Sequence, residues 1–502
     1  MENNAIDILK TFSKEDIKQF EVFLNSPFFN KSRKLTKLYK ILLKYYPHFN
    51  SKFLTEQKLS IMISPGLNFN RYTMNRLFYD LYICEEKYLL MKSLDRNSFQ
   101  SHDLLRGEFF RRRLFQLIDK NIKYVKKNIE TKNSIDADHY LNMFKLSTDI
   151  CNLFTITTSK SNSSQIKKKT EGNSERAKFI TYFFVTEMIR EYENLLTLEK
   201  TYNTVMNLDF VKDIFTKFDF QEVLKMMISS EDNSPYTVNL SIYLALLLAF
   251  SNKDNERYYF NYKKKLILSL KDLSADEKRF HIGRLIRYCM LKREELDKQN
   301  KFHHELFNVY EFILKNKYYR SSVMNYMPVE LYRSILMHAL RLKKYKWTIK
   351  FIKKYSKYLN PDKMKNIYYY SNAQYYFHRK MYKDARHNLQ KIIFDEFMYK
   401  IDYKNLMLIT SFELKEYESV INMIDSYKHF LKNDDTLSGK SRISHRRFIN
   451  MTYALVMHKT SVNKVIPHFL KKEYVCDLPY SDWITEKFAE CGIDITLQKN
   501  ET

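Results

Sequence analysis

Six glycines and eight prolines in a chain of 502 residues are too few turn-formers for a sheet protein. Reversals between strands draw on residues that accept positive φ or arrive with φ fixed, whereas helices joined by short polar loops need neither. A hydrophobic share of 44% is enough for a continuous core. The expected fold class is therefore all-α. Tyr and Phe, at 39 and 37 copies, are read as fillers of helix–helix seams. The longest apolar run, residues 242–250, is nine long, well short of the roughly twenty needed to span a bilayer. No basic segment followed by an apolar core opens the chain, so it is read as having no signal peptide and no membrane partner. Cysteines at 84, 151, 289, 476 and 491 lack paired spacing, which suits reduced thiols in a cytoplasmic protein.

The first hundred residues are well punctuated. Ser13 and Asp16 form a capping box, with Phe12 and Ile17 as a hydrophobic staple. Ile17, Phe20, Phe23 and Leu24 then repeat at helical spacing up to Pro27. Further helices are expected at about 32–46 and from Thr55, with Pro65-Gly66 breaking before a long helix at 71–92. The expected domains are an N-terminal helical bundle at 1–95, long helices and divergent hairpins at 96–325, and repeats with C-terminal capping helices at 326–502. Within the middle part, helices are expected at 103–130 and 136–153, and a flexible Ser/Thr/Lys-rich loop at 155–175. Ser274 with Glu277 reads as a second capping box, and Asn360-Pro361 as an N-cap and first-turn pair. Asp482 is expected to cap a last helix that Gly492 ends, after a tail packing from about Val462.

Internal repetition organises the second half. Tyr345, Tyr382 and Tyr417 are 37 and 35 residues apart. Thr348, Ala385 and Val420 follow each at one offset, Ile352, Leu389 and Ile424 at another, and Ala339, Tyr376 and Ser411 precede them. Over about 328–432 this pattern resembles the tetratricopeptide repeat, whose period is about 34 residues. Tyr369, Ala373, Tyr376, Tyr382, Ala385 and Leu389 match it well, while Thr348 and Val420 stand where alanine is usual. The resemblance implies an α-solenoid whose first helices line a concave groove. Carried over by position, that groove would hold Arg333, Met337, Arg341, Tyr370, Gln374, Phe377, His378, Asn405, Ile409 and Glu413. In some members Lys and Asn clamp a peptide carboxylate. Here Tyr370 replaces one such residue and Asn405 keeps another, so the clamp is incomplete.

No phosphate loop, zinc-protease motif, nucleophile elbow or cysteine ligand pair occurs, so an enzyme, a cofactor and a small-molecule substrate are not indicated. His303-His304 is the nearest approach to a metal pair, but neighbours on a helix point about 100° apart. His281, His338, His378 and His387 are scattered, and Glu85-Glu86 and Asp395-Glu396 read as charged surface. Charge is the stronger signal: 85 basic against 58 acidic residues give +27, of which residues 301–400 carry +14. Lys343, Lys346, Lys350, Lys353, Lys354 and Lys357 recur every three or four positions, a stripe able to hold phosphates. A second basic face is Arg33, Lys37, Lys40 and Lys44, next to a short helix, a break and a helix with Arg71 and Arg76, an order similar to a helix-turn-helix. The leading expectation is a non-enzymatic scaffold for a protein or peptide partner. The alternative is nucleic-acid or polyanion binding through the basic face at 341–365, including a regulator whose helix-turn-helix-like N-terminal unit binds DNA.

Overall fold

The structure, a computed structural model, describes residues 3–49, 54–66, 68–131, 134–157, 163–202, 209–231, 234–295, 301–320, 326–393, 397–433, 439–460 and 478–492. Among these residues there are 23 α-helices, a three-residue 3-10 turn and no strand, with one isolated bridge between Ile135 and Leu273. The fold is all-α. No described helix is long and apolar enough to cross a membrane. The chain divides into two compact units, Met1–Thr131 with Lys145–Asn173, and Lys132–Phe144 with Ser174–Thr502.

In the first unit, Arg71–Arg96 packs on each of the four helices before it, Asn4–Thr11, Lys14–Asn25, Arg33–Leu43 and Glu56–Ile63. The capping box closes as expected: the Asp16 N–H donates to Ser13 Oγ at 3.1 Å, and the Ser13 N–H donates to the Asp16 carboxylate at 2.9 Å. Asp16 also receives the Lys92 ammonium, joining the cap to the long helix. Phe12, Phe20, Phe23, Tyr39 and Tyr88 form an interlocked aromatic core with centroids 5.2–6.1 Å apart. Such pairs each add about 0.5–1.5 kcal/mol beyond area burial. The connector between Glu56–Ile63 and Arg71–Arg96 spans 64–70, longer than a helix-turn-helix turn. Arg71 is exposed and lies 3.8 Å from Glu56.

Two expectations for the long helices are corrected. The stretch 103–130 is two helices, Ser98–Arg111 and Phe115–Thr131, because Arg113 adopts φ 58°. The Leu114 N–H then donates back to Phe109 O at 2.9 Å. The loop at 155–175 is helical at both ends: Ala137–Thr157 runs into it, and Ser163–Tyr202 begins within it. Gly172 lets the second of these helices pass close to Cys151, whose Sγ would lie 3.2 Å from an added Cβ.

In the second unit, three helix pairs follow one another: Val329–Arg341 with Tyr345–Tyr355, Pro361–His378 with Tyr382–Leu389, and Phe397–Glu413 with Tyr417–Asn433. The turns match bond for bond. Lys343, Lys380 and Lys415 take φ 56°, 59° and 62°. The next N–H of each turn donates to Ala339, Tyr376 and Ser411 O at 2.9–3.0 Å. This is the Schellman closure, which satisfies a carbonyl the helix end would strand. Thr348, Ala385 and Val420 are fully buried, as are Ile352 and Leu389, with Ile424 nearly so. The Thr348 hydroxyl is satisfied by donating to Lys344 O at 2.9 Å, which is how a polar residue holds the small-residue place. Asn360 caps and Pro361 opens its helix as expected.

Two predictions follow from backbone and burial. Glycine accepts the left-handed region without the penalty of about 1–2 kcal/mol that a side chain brings there, at an entropic cost of about 0.5–1 kcal/mol. Lys415→Gly is therefore expected to raise the unfolding free energy by about 1 kcal/mol in denaturant titration, and Lys415→Ala to leave it unchanged. Equal behaviour of the two variants would refute the strain at this turn.

Glu85 lies at 0% exposure with neither carboxylate oxygen hydrogen-bonded among the described residues, and burial pushes its pKa from 4.5 up to about 9. A folded-state pKa raised above the unfolded one gives stability that is complete below about pH 4.5 and is lost as pH rises through 9. By pH 7 the unfolded state, already ionised, has gained about 3 kcal/mol on the neutral native one. Glu85→Gln should flatten the dependence of unfolding free energy on pH between 5 and 8, and an unchanged slope would assign it to other groups.

Candidate partner-binding faces

The expected groove residues lie on the first helix of each pair, where most of them are already engaged. The Arg333 guanidinium pairs with Asp402, and the Tyr370 hydroxyl donates to the same carboxylate at 2.9 Å. The Gln374 amide donates to the hydroxyls of Tyr370 and Tyr480 at 2.9 and 2.8 Å. Asn405 accepts from the Tyr427 hydroxyl at 2.8 Å, with His445 Nδ1 3.1 Å from the same oxygen. Tyr370, Gln374, Phe377, Asn405 and Ile409 are buried, Met337 and His378 are half-buried, and Arg341 is exposed. Burial, with Arg341 close by, lowers the pKa of His378, whose Nδ1 lies 2.9 Å from Gln374 O.

The helix Ser481–Glu490 completes this face. Tyr480 meets the Phe377 ring edge-on at 6.0 Å. The Trp483 indole N–H donates to Glu413 at 2.6 Å, its ring edge-on to Phe412 at 5.4 Å. The Lys487 ammonium, almost fully buried, sits 2.9 Å from Glu413 and 2.8 Å from Glu490. Burial works against this charge, but the Glu490 and Glu413 carboxylates outweigh it and raise its pKa. Outside the contact, Lys380 pairs with Glu486 at 2.5 Å. Asp482 is not the N-cap: that position is Tyr480, whose left-handed backbone (φ 54°) and clasped ring set the helix start. Gly492 follows the helix at φ 76°, as its type suggests. Residues 462–477 of the tail expected to pack from Val462, and the pair Asp395-Glu396, lie outside the described residues.

The lysine stripe lies on a different surface. Lys343, Lys346, Lys350, Lys353, Lys354 and Lys357 are all exposed, and no described carboxylate pairs with them. They do not share one helix: Lys343 is the left-handed turn residue, and Lys357 falls in the 3-10 turn Ser356–Tyr358. Between Tyr345–Tyr355 and Lys301–Asn316 opens a groove of 580 Å³, lined by Glu311, Phe312, Leu314, Lys315, Trp347, Lys350, Phe351, Lys354 and Tyr355.

Among the described residues no three His, Cys, Asp or Glu side chains are grouped to hold a metal. His303 and His304 diverge: His303 is buried and stacks on His338 at 5.8 Å, while His304 faces out. One cluster went unforeseen. Glu277 is buried, accepts from the Tyr243 hydroxyl at 3.0 Å through both oxygens, pairs with Arg190 and lies 3.2 Å from His281 Nε2. Tyr262 holds the other nitrogen of His281 at 2.8 Å. Burial depresses the His281 pKa against the pull of Glu277. The Ser274–Glu277 spacing marked a helix start, and the Glu277 N–H does donate to Ser274 Oγ at 3.2 Å. The carboxylate, however, turns into the core instead of closing the box. Every member of the cluster is buried or nearly so, and none of its members lines the open groove. Its work is to satisfy charge within the packing.

No family model matches the chain, and neither a curated protein nor a solved structure matches it.

Proposed function

We propose that the chain is a non-enzymatic, tetratricopeptide-like α-solenoid scaffold, and that the face formed by its first helices binds an amphipathic helix of a protein partner. The observation that carries the reading is the seating of Ser481–Glu490 against Gln374, Phe377, Phe412 and Glu413. That helix presents an aromatic edge, an indole N–H and an ammonium at one-turn intervals, and the face answers each with a ring or a carboxylate. Helix-in-groove recognition uses the same i, i+3, i+4 and i+7 anchors. Tyr480, Trp483, Ile484 and Lys487 fall on that spacing. In the free chain the resident helix acts as the occupant that a partner helix replaces.

A chain ending at residue 477 is expected to keep its helical circular dichroism and to bind a synthetic peptide of residues 478–492 in trans. Glu413→Lys should weaken that binding by about tenfold or more, since it strands a buried lysine and an indole N–H. Two results would reduce the helix to a structural end-cap of the array. One is a shortened chain that loses its helical signal, and the other is a folded one that ignores the peptide.

A further inference from the structure

The groove between Lys301–Asn316 and Tyr345–Tyr355 has the size of a ligand site, 580 Å³ against the roughly 300–1,000 Å³ usual for one. Its floor is apolar, made by Phe312, Leu314, Trp347, Phe351 and Tyr355. Its rim carries Lys315, Lys350 and Lys354 against a single acid, Glu311. That acid is occupied, accepting from the Trp347 indole N–H at 3.0 Å. Lys350 and Lys354 are four residues apart, so their side chains leave the same face of the helix about 6 Å apart along its axis.

The ring geometry decides which anion suits this groove. Trp347 and Phe351 stack at 5.3 Å with planes 8° apart, and Phe351 stacks on Tyr355 at 5.3 Å and 29°. The Phe307 edge meets Trp347 at 4.9 Å, and the Lys354 ammonium lies over the Tyr355 ring at 5.0 Å. The ring faces are spent on one another and on a lysine. A single-stranded nucleic acid needs bare faces on which its bases stack. Ring edges and a leucine instead suit an aliphatic or aromatic side chain inserted from a partner. We infer that this groove binds an acidic amphipathic protein segment, its apolar side chain on the Phe312–Leu314–Phe351 floor and its carboxylates on Lys315, Lys350 and Lys354.

A library of random 16-residue peptides displayed on phage can be selected on the full chain, with counter-selection on Lys350→Glu/Lys354→Glu. Both lysines are exposed, so the variant keeps its fold, to be verified by circular dichroism. The expected winners place Asp or Glu on either side of a bulky apolar residue. A synthetic winner should shift Trp347 emission, with Trp483→Phe as the background to isolate that signal. It should also bind the double variant about tenfold more weakly or worse, as should its Asp/Glu→Asn/Gln form on the unaltered chain.

Failure to enrich any sequence, winners without acidic residues, or equal binding to the double variant would overturn the assignment. A twenty-nucleotide oligothymidine probe runs alongside. If it binds tighter than the peptide with the same lysine dependence, the groove belongs to nucleic acid instead. The lysine substitutions touch neither Gln374 nor Glu413, and binding to the double variant is compared with Trp483 in place, so the outcome is independent of the first-helix reading.

Discussion

One left-handed residue per turn sets the geometry of the paired helices in the second unit. With Lys343, Lys380 and Lys415 near φ 60°, the chain reverses over three residues in each pair and the second helix starts at a tyrosine. That tyrosine ties its pair to the next. The Tyr345 hydroxyl donates to His378 O at 3.0 Å, at the end of the following first helix. Tyr382 takes the corresponding place beside Glu413, where burial and then that carboxylate push its pKa up to about 12. The buried seam at Thr348, Ala385 and Val420 needs this closure, because a wider turn would lift the second helix away from the first. The first-helix face depends on it too, since Glu413 is held at the turn that Lys415 makes.

The helix class, the capping box at Ser13 and the register of the repeats were legible because each has a local physical signature. Scarce glycine excludes strands, a serine three residues before an aspartate offers two reciprocal hydrogen bonds, and a seam repeats where helices do. The aligned trio Ala339, Tyr376 and Ser411 proves to be the trio of carbonyls that accept the turn bonds. Arg113 was invisible for the converse reason. Left-handed turns are read from glycine or asparagine, and here arginine and lysine occupy them. The helix start at Ser163 was hidden in a stretch whose Ser, Thr and Lys content reads as a loop. The Tyr480 start lies beyond any local rule, because Gln374, 106 residues away, fixes it.

Side-chain destinations were the least legible layer. Glu277 and Glu85 look alike in sequence, acids on helices, yet both are buried and their fates are opposite. Glu277 is met by Arg190, His281 and Tyr243, and they hold its carboxyl below its usual range despite burial. Glu85 finds no hydrogen-bond partner among the described residues, and burial raises its pKa. Periodicity states that a position faces inward, but only the packed neighbours state whether a charge can survive there.

The net charge of +27 takes on meaning once positions are sorted by what faces them. On the first helices the acids are in demand: Asp402 serves Arg333 and Tyr370, and Glu413 serves Trp483 and Lys487. On the second helix of the first pair no described carboxylate answers Lys346, Lys350, Lys353 or Lys354. The two faces therefore have opposite electrostatic preferences. A segment with lysine and tryptophan is favoured where Glu413 stands and repelled where Lys350 and Lys354 stand, and an acidic segment meets the reverse. Like charges brought together at an interface cost several kcal/mol, more than most contacts return. On the two proposals above, charge alone is enough to keep the two segments from exchanging places.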